Sequence, residues 1–182
     1  MGIALSHCRY EEIKKIVVDL FVRYDVSCVP ANGFELATKM GIKVIPYSAI
    51  QLSKRHLLFM KSEDGFCVEK GVGEWYIFYN NEQNYGRINN TIMHEIGHIV
   101  LDHSEDSELA EKEVKFFAKY ALVPPVLVHK FKLDDPYKIA SVFEVSFEAA
   151  CYALSYYKKW LQYGSYDCTD YEVKLLHLFE TA

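Results

Sequence analysis

The residues of this chain best suited to chemistry are five in a row, His94-Glu95-Ile96-Gly97-His98. On a helix the two histidines stand one turn apart on one face. Both imidazoles can then hold a single Zn2+ at about 2.0–2.1 Å, and Glu95 between them can act as base for the metal's water. The bland alternative is a surface helix that happens to carry two histidines, and the neighbouring residues argue against it. On a wheel of residues 87–103, Ile88, Ile92, Met93, Ile96, Gly97, Ile99, Val100 and Leu101 fill roughly 220°, too wide for a helix facing one core. Such a helix is mostly buried. Its remaining polar arc, Arg87, Thr91, His94, Glu95, His98 and Asp102, must be satisfied from inside, which a metal with its bound water does.

A catalytic zinc needs a third protein donor and an open fourth position. Across residues 105–122, Glu108, Glu111, Lys112, Lys115 and Lys119 share the polar side, whereas Glu113 falls in the middle of an apolar arc of Leu109, Ala110, Val114, Phe116, Phe117, Tyr120 and Ala121. A carboxylate there is costly unless it is paired or bound to metal. If the two helices turn near Ser104, Glu113 lies about 13 Å along its own helix, level with His98 and His94 at about 9 and 15 Å. Glu113 is therefore the expected third ligand, and a buried ion pair with an Arg or Lys is the other reading of that position. Asp102 and Thr91 are candidates for hydrogen bonds to the imidazoles behind the metal. His103 follows His98 by five residues without a glycine-made turn, so it does not match the metzincin spacing and reads as a helix-end or packing residue.

The elements that must carry these groups can be read from periodicity. Helical spacing covers residues 10–24 and a short segment at 34–40, a strand occupies 42–47, and Ser48 with Gln51 suggests a capped helix running toward Lys61. Residues 65–70 and 74–79 read as a hairpin across Gly71-Val72-Gly73. Helices are then predicted over about 90–103, 106–123, 136–142 and 147–162, with Asp106, Pro124-Pro125, Ser146 and Gly164 among the caps and stops. The fold class is α+β: mainly helical, with a small three-stranded antiparallel or mixed sheet beside the HExxH helix. Trp75, Tyr76, Ile77, Phe78 and Tyr79 form the best strand and a candidate edge for an extended substrate. At 182 residues the prior is one domain, expected over 1–164 with a helix-turn-helix-like pair at 135–162, followed by a tail, 165–182, of no assigned role.

A net charge of −5 offers no basic footprint, so neither direct nucleic-acid binding nor an anionic membrane is expected. The helix-turn-helix layout is also poor for DNA, because Phe147, Glu148, Ala149, Ala150, Cys151 and Tyr152 put acidic or apolar groups where base-reading ones belong. Five cysteines without CxxC spacing, and no charged segment followed by an apolar stretch at the start, predict reduced thiols in a cytoplasm.

Beyond these readings, Thr91-Ile92-Met93-His94-Glu95-Ile96-Gly97-His98-Ile99-Val100-Leu101-Asp102-His103 resembles the active-site helix of the ImmA/IrrE metallopeptidases of bacterial mobile elements and stress regulators. Tyr76–Asn80 resembles the strand that leads into it. Glu113-Val114-Lys115-Phe116-Phe117-Ala118 and Leu122-Val123-Pro124 are similar to the family's EAxxFA and LLMP segments, and Ala140–Ser146 to AxxFxVS. The resemblance implies a zincin-like domain, one catalytic zinc on His94, His98 and Glu113, and Glu95 as general base. It also implies a substrate class, helix-turn-helix repressors inactivated by a single cleavage. Two other functions remain open: an antirepressor that holds zinc but acts by binding alone, and a DNA-binding regulator.

Overall fold

Short polar side chains set most of the helix starts. In chain order the elements are α1 (His7–Arg23), α2 (Gly33–Lys39), β1 (Lys43–Pro46), α3 (Leu52–Lys61), β2 (Gly65–Gly71), β3 (Glu74–Tyr79), α4 (Tyr85–Val100), α5 (Glu108–Leu122), α6 (Pro125–Lys130), α7 (Pro136–Phe143), α8 (Phe147–Tyr163) and α9 (Asp170–Leu178), with a 3-10 turn at Tyr47–Ala49. The side chains of Asn32, Asn84 and Asp135 each accept hydrogen bonds from the first-turn amides of α2, α4 and α7. The computed structural model describes residues 4–103, 107–163 and 168–180. The turn expected near Ser104, the cap expected from Asp106 and the stop expected at Gly164 lie outside the described residues.

The chain divides into two compact units, Asn32–Val114 and a second made of Met1–Ala31 with Lys115–Ala182. In the first, a three-stranded mixed sheet has the order β1-β3-β2, with β1 parallel and β2 antiparallel to β3. Ile77 at its centre faces Val44 on one side and Cys67 on the other, and is fully buried. Helix α4 packs on β2, β3 and α2. Two glycines permit that approach. The Gly33 amide donates to the Asn89 side chain at 2.7 Å. A Cβ at Gly65 would stand 2.6 Å from Thr91 Cγ2 and 2.8 Å from the Phe78 carbonyl. Asn89, Thr91, Ile92, Met93, Glu95, Ile96 and Gly97 are buried on α4, as the wide apolar arc requires.

Three expectations are corrected here. Because β3 is the central strand, both edges of Tyr76–Tyr79 are occupied, Trp75 pairs with Glu69 of β2, and the segment is no substrate edge; β2 is the edge strand that contacts α4. Helix α4 begins at Tyr85 rather than near 90, since Asn84 Oδ1 accepts from the Arg87 amide at 3.0 Å. Gln51 makes no side-chain cap bond, so the expected capping box is not formed.

In the other unit, Pro125 opens α6 instead of only stopping α5, because proline at the first helical position gives up an amide that has no intrahelical partner there. Helices α7 and α8 pack together, with Glu144 at φ 50 in the turn between them. The segment beyond 164 contains α9, started by a capping box of Thr169 and Glu172 and packed on α1. Trp160 Nε1 donates to Glu172 at 2.7 Å, and the Tyr171 hydroxyl donates to Glu11 at 2.6 Å. Among the described residues no helix is long and apolar enough to cross a membrane.

Candidate metal centre

His94, Glu95 and His98 all lie on α4, where packing against the sheet and α2 sets the rotation of the helix and leaves both imidazoles toward Glu111 of α5. The residue that meets them is Glu111. Its Oε1 lies 3.3 Å from His98 Nε2 and 3.7 Å from His94 Nε2. The ligand atoms of His94, His98 and Glu111 all fall within 4.8 Å of one another. Ligands at about 2.0–2.1 Å from a tetrahedral centre stand about 3.4 Å apart. Two imidazole nitrogens and one carboxylate oxygen at this spacing therefore fit a zinc-type cation by donor chemistry and by size. Glu111 is the most open of the three, its side chain 39% exposed against 18% and 11% for the histidines.

Glu113, the third ligand expected from sequence, is placed differently. It is 5% exposed, and its Oε2 lies 2.9 Å from Nε2 of His103, while the three-residue donor group is closed by Glu111. Positions 111 and 113 leave a helix about 200° apart, so they reach different members of the histidine group. The axial argument could not choose between them: Glu111, about 10 Å along its helix from residue 104, is as level with the imidazoles as Glu113. What misled was the wheel, which assigned Glu111 to solvent because its neighbours there are lysines.

Asp102 and Thr91, the candidates for bonds behind the metal, lie at the end of α4 and against the sheet, respectively. Asp102 is exposed and takes φ 55 at the end of α4. Its amide bonds to the Ile99 carbonyl at 3.4 Å and the next amide, His103, to the His98 carbonyl at 3.1 Å, the paired bonds of a Schellman motif. That turn folds His103 back over His98, with their Nδ1 atoms 3.3 Å apart. Thr91 is buried with its methyl against Gly65 and serves the contact of helix with sheet.

Glu95 is buried, and its Oε2 accepts from the Cys67 amide of β2 at 2.9 Å. This bond fixes the carboxylate beside the two histidines and ties the edge strand to the site, a main-chain contribution that no side-chain pattern announces. Beneath it, Tyr47 is 1% exposed and its hydroxyl donates to the Ser62 carbonyl at 3.0 Å. Burial first, then the negative charges of Glu95 and Asp64, push this phenol up to about 12. With its hydroxyl already engaged and inaccessible, Tyr47 is not a donor to a substrate oxyanion.

A family profile, the IrrE N-terminal-like domain of peptidase family M78, matches residues 37–155, well over half of the chain and the whole of the site. The chain belongs to this family. Comparison with individually curated proteins gives no significant match. The matched span includes residues 91–103, the segment that resembles the ImmA/IrrE active-site helix, together with Glu111 and Glu113.

Proposed function

We propose that this protein is a zinc-dependent endopeptidase that cleaves a helix-turn-helix transcriptional repressor, releasing a mobile element or stress regulon. The observation that carries the reading is the donor triangle of His94, His98 and Glu111 with Glu95 buried beside it on the same helix. The residues present fit a zinc ion, which when bound would acidify a water and polarise a scissile carbonyl. Glu95, held by the Cys67 amide, takes the proton as the water oxygen bonds the carbonyl carbon. The same carboxylic acid then returns the proton to the amine as the C–N bond breaks. An extended substrate segment is best accommodated along the outer edge of β2, the strand that contacts Glu95, in place of the central strand.

The test is incubation of the purified, zinc-loaded protein with the repressor encoded beside its gene, read by mass spectrometry. One new cleavage is expected with the wild type and none with Glu95→Gln. Should Glu95→Gln still lift repression and leave the repressor intact, the protein acts by binding and the peptidase reading is lost. A mobility shift on operator DNA without the repressor would instead support the DNA-binding alternative.

A further inference from the structure

Beyond the donor triangle, the histidine group contains one more ring and one more carboxylate. His98 turns Nε2 toward Glu111 Oε1, at 3.3 Å, and its other ring nitrogen, Nδ1, toward Nδ1 of His103, also at 3.3 Å. Two ring nitrogens facing each other need one proton between them. If Nε2 of His98 gives its lone pair to a cation, the ring's remaining proton sits on Nδ1, so His98 donates and His103 Nδ1 accepts. His103 then carries its own proton on Nε2, and that atom lies 2.9 Å from Glu113 Oε2. Each tautomer follows from the one before it, and the chain ends on a carboxylate that can only accept.

We propose that His103 and Glu113 are positioning residues, a His98–His103–Glu113 relay that holds the His98 ring in the orientation and tautomer that keeps Nε2 available to the metal. The inference rests on the metal reading above. It gives a buried acid a reason: Glu113 is 5% exposed, and a carboxylate so enclosed is tolerated when paired. It also gives the end of α4 a reason. The Schellman bonds from Asp102 and His103 to Ile99 and His98 bring residue 103 against residue 98, a contact more often apolar in this motif and here made by two imidazoles. Hydrogen bonds from a metal-bound histidine to a second group commonly raise metal affinity about 10–100-fold.

The experiment has two readouts on the full chain. Competition against a chromophoric chelator measures zinc affinity for wild type, Glu111→Gln, Glu113→Gln and His103→Gln, each checked for folding by circular dichroism. Long-range 1H–15N spectra of the zinc-loaded wild type report the tautomers. The relay requires His98 protonated at Nδ1, His103 protonated at Nε2, and affinity about 10–100-fold weaker in the Glu113 and His103 variants. It is overturned if His103 carries its proton on Nδ1, or if both variants bind zinc within about twofold of wild type. It is overturned as well if Glu111→Gln binds normally while Glu113→Gln does not, since Glu113 would then be a donor. Were either variant to lose its fold, the wild-type tautomers alone decide. Failure of the wild type to bind one zinc strikes the metal reading, a result distinct from normal binding with indifferent variants, which strikes only the relay.

Discussion

At the scale of single residues, the two glutamates on one helix divide the work. Glu111 closes the donor triangle and Glu113 ends on His103. Glu111→Gln removes a charged donor, so zinc affinity should fall by more than about 100-fold, beyond the range typical of groups behind the ligands, as read by chelator competition. Two imidazoles and the intervening carboxylate were legible from HExxH, because that spacing fixes them on one helical turn regardless of the rest of the fold. The third donor was not, because a wheel reports sidedness and not which side the partner helix occupies. Tyr47 offers a test of the packing beneath the site. Its folded-state phenol is raised to about 12 from a usual 10, so the neutral form is favoured in the native protein. The stabilisation is complete below pH 10 and lost as pH rises from 10 toward 12. The urea midpoint should therefore fall over that window in the wild type, and fall less in Tyr47→Phe.

At the scale of elements, the site depends on how α4 ends and on how closely β2 approaches it. Asp102 holds φ 55, a conformation glycine adopts without penalty and β-branched residues resist. Asp102→Gly should be neutral within about 0.5 kcal/mol, whereas Asp102→Val should cost about 1–2 kcal/mol in denaturant unfolding and weaken zinc binding by displacing His103. Gly65 is the other control. A methyl there meets both Thr91 and the Phe78 carbonyl, and the carbonyl cannot rotate away. Gly65→Ala should destabilise by about 1–3 kcal/mol and shift β2, and with it the Cys67 amide, off Glu95. The hairpin and most helices were readable in the sequence through alternation, periodicity and caps. The strand order was not, since nothing local in Trp75–Tyr79 says that β1 will pair on its far side.

For the molecule as a whole, the mainly helical α+β class was apparent from the order of patterns, a small sheet early and helices late. The C-terminal segment was not, because α9 is a single short helix whose place is set by partners outside it, Trp160 on Glu172 and Glu11 on Tyr171, as well as by its own Thr169–Glu172 capping box. Leu175 in α9 is fully buried. A chain ending at Tyr163 should lose more than about 5 °C in Tm, measured by calorimetry, since it gives up that burial together with two part-buried carboxylate bonds. The account's central claim concerns where the cation sits. Crystals of the zinc-loaded protein, measured at the zinc absorption edge, test it directly. One anomalous peak is expected within about 2.0–2.2 Å of His94 Nε2, His98 Nε2 and a Glu111 carboxylate oxygen. A peak on Glu113 in place of Glu111, or none between the two helices, would contradict it.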